Sequence, residues 1–423
     1  MRNYLTLVIG VMIISSSAFA SRARLEALGE NKNGSFFIDD GRNIWYNPAQ
    51  INNYKKKMYL ELGSELGTSP TVANEAKVAD STAVSKPEGG FTNTFGDFTY
   101  GVFLGHESDR TLNAINGAVS TNGVSGINAA AGENFIAPDR FIDVFFGGDA
   151  GVKWGLNVFY GGNENRTTGV TNISPGVEQT ASELGFRLGV IAGQLQGFAT
   201  IGAMEKSTGS GGATGTNGLA TDQLKGKFSM DLGATYSLSD NHTVFAKFTT
   251  NGAEYDPAGT KAADSSNMTV EGGIGCKKDV TKNTNVFSRL ELMYGSSKNN
   301  TVSTGATTTA KMWDIPLSLG VETAALSWLT VRGSVGESLL GQNINSDNTR
   351  STFLNSTTVG AGVGLTFGDV QIDGLVATGG GSNSVTAGNI TSSNIATAGA
   401  TGTNANWGFG NNMMTRLGMT YNF

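Results

Sequence analysis

Apolar and polar positions trade places with a period of two along most of this chain. Val152, Trp154, Leu156, Val158 and Tyr160 form one apolar face, set against Lys153, Gly155, Asn157 and Phe159. The same alternation runs through Leu184, Phe186, Leu188 and Val190, and through Phe228, Met230, Leu232, Ala234, Tyr236 and Leu238. Period two places alternate side chains on opposite faces of a strand, so these stretches predict β-structure with one apolar and one small or polar face.

The connections carry a second rhythm. Short turns at 147–149, 192–193, 239–241, 279–283, 323–325 and 368–369 alternate with long Gly, Ser, Thr and Asn-rich segments such as 162–179, 206–224, 251–267 and 341–356. A transmembrane barrel has short periplasmic turns and longer external loops, whereas a soluble sandwich has no reason to keep that order. The pattern predicts strands near 56–66, 88–95, 98–105, 139–147, 150–162, 180–191, 193–204, 226–238, 241–250, 268–278, 284–295, 311–322, 326–337, 357–367, 369–377 and 413–423. The expected fold is therefore an all-β antiparallel transmembrane barrel of sixteen strands, with fourteen as the alternative.

Upstream of the strands the chain changes character. Met1 and Arg2, the apolar run Leu5 to Ile14 and the small-x-small triplet Ala18-Phe19-Ala20 read as a secretory leader over 1–20. Residues 21–55 follow with no strand alternation: a short helix from Ser21 to Glu30, then Asp39-Asp40-Gly41-Arg42, then Trp45-Tyr46-Asn47-Pro48-Ala49. This stretch is expected to be a periplasmic or lumenal structural segment, a plug that restricts the pore, or a contact for another periplasmic component. The barrel proper occupies 56–423.

Composition narrows the class. Sixty glycines are about twice the ordinary share of roughly 7%, without the third-residue period of collagen. After the leader, no stretch approaches the roughly 20 apolar residues of a spanning helix. With 29 Lys and Arg against 35 Asp and Glu there is no basic platform for nucleic acid. The lone Cys276 excludes an internal disulfide.

Two short segments resemble known families. Leu417, Met419, Tyr421 and Phe423 share one face of the last predicted strand, and this spacing resembles the terminal signature of porin-like Gram-negative outer-membrane barrels. The resemblance implies that these four residues are read by the barrel-assembly machinery, that the protein sits among outer-membrane lipid and lipopolysaccharide, and that three copies associate. Asn47-Pro48-Ala49, with Trp45 before it, resembles the mature N-terminal region of the long-chain fatty-acid transporter family. That likeness implies a fourteen-stranded barrel with a hatch in its lumen, here built around Trp45, Asn47 and Pro48, and hydrophobic substrates.

If the apolar faces meet lipid, the interleaved charges face the lumen: Lys153, Glu183, Arg187, Lys227, Asp231, Lys247, Glu271, Arg289, Glu291 and Arg332. They either set a transverse field that selects solutes or pair with one another and solvate the wall. The 107–138 connection, with Glu107, Asp109, Arg110 and Glu133, is the candidate constriction loop; the alternative is that it stands above the membrane.

Two histidines, His106 and His242, form no helix-spaced metal pair. No phosphate loop or calcium loop is present. The expectation is a non-enzymatic barrel without metal or cofactor. Its leading function is passive diffusion of small hydrophilic solutes. The alternatives are a plugged transporter of hydrophobic solutes and a structural or adhesive barrel.

Overall fold

The computed structural model describes residues 21–63, 87–106, 138, 140–167, 177–210, 221–256, 261, 263–301, 305–345, 350–352, 357–375 and 416–423. The strands are β1 Lys57–Gly63, β2 Glu88–Phe95, β3 Phe98–Leu104, β4 Arg140–Asp149, β5 Lys153–Thr167, β6 Val177–Ala192 and β7 Leu195–Ser210. After β8 come β9 His242–Asp256, β10 Ala263–Thr281, β11 Thr284–Thr301, β12 Ala306–Leu326 and β13 Leu329–Ile344. Then β14 is followed by β15 Val370–Leu375 and β16 Arg416–Asn422. Two strands are each interrupted once: β8 consists of Thr221–Gly226 and Ser229–Ser239, and β14 of Arg350–Thr352 and Thr358–Phe367. The eighteen hydrogen-bonded segments thus make sixteen strands.

Every neighbour pairing is antiparallel, and the sheet closes on itself. Met58 of β1 is opposite Phe91 of β2 on one side and Tyr421 of β16 on the other. Closure leaves no edge, so the backbone N–H and C=O groups of the wall are paired within it, as a lipid environment demands.

The Phe-Gly-Asp turns at 95–97 and 367–369 use their glycines at φ 59° and 60°, the left-handed region that a two-residue hairpin requires and that other residues enter at a cost.

Adjacent residues show which face is which. Phe145 is fully buried while Phe146 is 48% exposed, although both lie on β4. The exposed row continues around the wall through Leu60, Leu104, Ile142, Leu188, Leu232, Ile274, Leu290 and Val331. Trp154, Tyr160, Tyr236, Tyr294 and Trp328 share this outer face, where aromatic rings sit at the two interfaces. A closed sixteen-stranded barrel with an apolar outer belt is a multi-pass outer-membrane protein. No helix among the described residues is long and apolar enough to cross a membrane.

Strands differ greatly in length. β10 to β12 run for 19, 18 and 21 residues, well beyond the 9–11 or so that span a bilayer.

Candidate functional site

Residues 21–55 lie inside this barrel. Ser21 caps the helix α1, Arg22–Ala27, by accepting from Arg24 N. Asp40 caps a 3-10 turn at Gly41–Trp45, and Asn47 a second at Pro48–Asn53, each side chain accepting from the N–H two residues on. Pro48 suits the first position of that turn because its fixed φ fits and its missing N–H has no partner to lose.

Glycines on the inner wall admit the backbone of this segment. A Cβ on Gly155 would lie 2.3 Å from Pro48 C and O, and one on Gly189 would lie 1.9 Å from Asn47 Oδ1. On the opposite wall, a Cβ on Gly320 would meet Leu28 O at 2.9 Å, and one on Gly360 would meet Glu26 O at 2.8 Å. Asn52 Nδ2 donates to Trp154 O at 3.0 Å, Asn47 Nδ2 to Val190 O at 3.3 Å, and Gln50 Nε2 to Gln196 Oε1 at 2.8 Å. The segment therefore touches the wall on opposite sides of the lumen.

Charge is the second means of attachment. Glu88 accepts from both Arg22 and Arg42, the latter at 2.9 Å. Arg24 Nη1 is 2.7 Å from Asp40 Oδ2, and its Nε is 2.9 Å from Glu322 Oε2. Glu322 also meets Arg332, which reaches Asp373 at 2.6 Å. Ser21 Oγ donates to Asp373 Oδ2 at 2.9 Å. Burial pulls the Arg24 guanidinium down, but Glu322 and Asp40 outweigh it and hold it well above its ordinary value. Burial raises the Asp40 carboxyl to about 6 against the attraction of Arg24, and it raises Glu30 against Arg289.

Most of the predicted lumenal charges touch this segment or one another. Lys153 Nζ donates to Asn53 Oδ1 at 2.6 Å. Lys247 lies 3.5 Å from Glu271 and over the Tyr46 ring. Arg289 reaches Glu30 at 3.4 Å and Glu291 at 3.7 Å. Arg187 pairs with Asp143 at 2.8 Å and covers the Phe159 ring. Glu183 is buried on the inner face, and Asp231 lies on the same face opposite Thr200.

Lys227 departs from its predicted phase. It falls in the irregularity that splits β8, where its N–H donates to Gly252 O and its ammonium turns to Asp264 at 3.1 Å, on the outward phase of β10. The extra residue of such a bulge reverses the facing that strict alternation predicts.

Glu107, Asp109, Arg110 and Glu133 of the expected constriction loop lie outside the described residues, as does the leader expected over 1–20. Leu417, Met419 and Tyr421 follow the outward alternation of β16, and Phe423 N donates to Lys56 O.

A third component, a set of aromatic side chains, lines the inner wall. Phe103, Phe159 and Phe245 are joined by Phe141, Phe145, Phe198 and Phe287, all buried on the inner face. Several lie over glycines of the next strand: a Cβ on Gly185 would fall 2.2 Å from the Phe159 ring, and one on Gly233 would fall 2.0 Å from Phe198. Trp45, Ile44, Ile51 and Tyr54 pack into Tyr59, Phe103 and Phe145. His106, set aside as a site residue on sequence grounds, stacks on Trp45 at 3.6 Å with Glu88 at 3.3 Å from Nδ1. Burial, ahead of the opposing pull of Glu88, lowers its pKa to about 3.

Between the segment and the wall at the short-turn end is a cavity of about 360 Å³. Ser35, Asn43 and Gln50 line it from the segment, and Gln196, Thr235 and Lys277 from the wall. No group of three or more His, Cys, Asp or Glu suited to a metal occurs among the described residues.

No protein-family model matches the chain, and no curated protein matches it. Among solved structures it is similar to a Pseudomonas aeruginosa FadL homologue, at 11% identity over 96% of this chain and 98% of that one, with a TM-score of 0.40. It is also similar to the Ralstonia pickettii toluene transporter TbuX, at 12% identity over 97% and 100%, with a TM-score of 0.34. A loop-deletion mutant of OmpT, an outer-membrane protein of Vibrio cholerae, aligns at 15% identity over 70% and 94%, with a TM-score of 0.32. Similarity at this level adds nothing to the barrel that strand pairing already establishes.

Proposed function

We propose that this protein is a gated outer-membrane channel for small hydrophobic solutes, with residues 21–55 as its plug. The observation that carries the reading is the pairing of an aromatic inner wall with a lumenal segment clamped to it. A water-filled diffusion pore has a polar interior. Here Phe103, Phe145, Phe159, Phe198, Phe245 and Phe287 face inwards, and most of the wall charges that would orient hydrated ions are engaged by the plug or by each other.

In this reading a solute loses water as it enters the aromatic zone and gains about 25 cal/mol for each Å² of apolar surface covered. Passage toward the periplasm requires the clamped segment to shift, and the cavity beside Ser35 and Gln196 provides space on that side. Leu417, Met419, Tyr421 and Phe423 serve as the assembly signal.

The test compares the intact protein with a variant lacking residues 21–55, in planar bilayers and in liposomes loaded with an environment-sensitive dye that reports entry of a monoaromatic hydrocarbon. Near-silent bilayers, with hydrocarbon entry faster than in protein-free liposomes, are expected of the intact chain; steady ionic steps are expected after deletion. Large ohmic steps from the intact, folded barrel would refute the plug, and hydrocarbon entry equal to the protein-free rate would refute the substrate class.

A further inference from the structure

Ser21 occupies a place where the barrel buries a carboxylate, Glu61, to which no guanidinium group among the described residues donates. Asp40, Glu61, Glu88, Glu322 and Asp373 are connected through direct contacts with Arg22, Arg24, Arg42 and Arg332, and Ser21 bridges to Asp373. Lys57, a buried ammonium in the field of Asp40, makes a fifth cation for these five acids, so any shortfall is local. The adjacent pair Arg416 and Glu26, 3.2 Å apart, adds one charge of each sign. His106, the other group against Glu88, resists protonation where it is buried.

The imbalance is localised. Glu61 is 4% exposed; its Oε1 accepts from Arg22 N at 2.8 Å, while its Oε2 has no hydrogen-bond partner. Both Glu61 oxygens and the Ser21 Cβ crowd the same point over Gly418, where a Cβ would lie 2.5 Å from Ser21 Cβ and 2.9 Å from Glu61 Oε2. An ionised carboxylate buried with no cation in contact is costly. Ser21 is thus beside a buried acid with one unpartnered oxygen, and it directly follows the small-x-small triplet Ala18-Phe19-Ala20.

We infer that proteolytic removal of the leader between Ala20 and Ser21 supplies the missing cation, so that cleavage locks the plug into the lumen. Hydrolysis of the Ala20–Ser21 amide consumes one water. It leaves a carboxylate on Ala20 and an amine on Ser21, which takes up the released proton as an ammonium. Before cleavage the Ser21 nitrogen is a neutral amide with a single hydrogen and cannot balance Glu61. Afterwards it is a cation with three donors, on a residue whose hydroxyl meets Asp373 and whose Cβ lies close to Glu61. Leader removal in this view does more than release the chain from the inner membrane: it creates the charge that seats the plug.

The inference uses the plug reading for its consequence, but its chemistry is tested separately. In the purified protein, intact mass fixes the first residue, and reductive methylation of the α-amine followed across pH gives its titration. A first residue of Ser21 is expected, with the amine titrating above the ordinary 7.7–8.0 or so and methylated at least tenfold more slowly at pH 8 than in the urea-unfolded chain. Any other first residue, or an amine titrating within the ordinary range, overturns the inference.

A refolded chain with one glycine added before Ser21 moves the ammonium by about 3.8 Å. It is expected to conduct at least tenfold more often than the chain starting at Ser21, and the same addition in a Glu61→Gln background is expected to change little. Equal conductance of the extended and native chains, both folded, would overturn the coupling to the plug even where the amine titration succeeds.

Discussion

Replacing Gly155 by alanine should open the lumen. The added methyl would lie 2.3 Å from the carbonyl carbon and oxygen of Pro48 and 2.4 Å from Ala49 N, and all three are backbone atoms that cannot rotate away. Restoring ordinary contact requires the Pro48–Asn53 turn to retreat by about 1 Å. That movement strains the bonds from Asn47, Gln50 and Asn52 to the wall. Two of them lost at about 1 kcal/mol each, with overpacking of about 1–3 kcal/mol, weakens docking by about 3–5 kcal/mol. At 1.4 kcal/mol for each tenfold change, the undocked fraction rises by about 10² to 4 × 10³. Single-channel recording should show this as frequent openings from a protein whose barrel still migrates as folded on unheated gels. Gly162→Ala is the control: it lies on the same strand, and its Cβ would have no neighbour closer than 3.6 Å. If Gly155→Ala forms a folded barrel as silent as the parent, the close approach of plug and wall does not hold the channel shut.

Glu88→Gln leaves Arg22 and Arg42 without the carboxylate they share, a loss of about 3–5 kcal/mol for a buried pair, and should lower the temperature at which Trp45 fluorescence reports plug release; an unchanged transition would count against that clamp. His106 should make docking sensitive to acid. With its docked pKa lowered to about 3 against an ordinary value of about 6.5, its contribution is full above pH 6.5 or so and is lost as pH falls toward 3, because only the released state takes up the proton. Asp40, raised to about 6, acts in the opposite sense: its contribution is present below the ordinary carboxylate range and is lost as pH rises through 6. Comparing plug release at pH 7 and pH 4 in the parent and in His106→Phe isolates the histidine, and equal pH dependence in both would refute its role. Deleting Phe423 removes the last aromatic of the C-terminal row and should lower the yield of folded barrel in the outer membrane several-fold, read by heat-modifiable migration.

The barrel was legible because lipid and lumen impose opposite demands on alternate residues, as in Trp154 and Leu156 against Lys153 and Gly155. Strand ends were less so. The structure carries β10 back to Ala263 and β12 to Ala306, through Ser, Thr and Asn on both faces, where clear of the membrane neither side need be apolar and alternation fades. Phe145 was hidden in the run Phe141-Ile142-Asp143-Val144-Phe145-Phe146, which apart from Asp143 is apolar in both phases. Lys227 was misplaced because a bulge leaves no mark in a period-two count. The lumenal charges were legible one by one, but not their partners. Arg24 and Glu322 are 298 positions apart, and nothing local to either predicts the other. The Asn47-Pro48 turn showed as a turn, while the glycines that receive it, Gly155 and Gly189, looked like any others in a chain of sixty.

The long strands also act as a depth gauge. On the outer row of β11, Val286, Leu290, Leu292 and Tyr294 give way to Ser296, Lys298 and Asn300. On β12 the same change comes between Trp313, opposite Tyr294, and Lys311, opposite Ser296. At about 3.4 Å per residue and a tilt near 45°, the span from Val286 to Tyr294 covers about 20 Å, close to the apolar band of an outer membrane. What continues above it is a hydrophilic palisade about 15 Å tall, anchored in lipid but standing in the sugar layer. The rim can therefore change its sequence without disturbing the lipid belt, the aromatic wall or the seat of the plug.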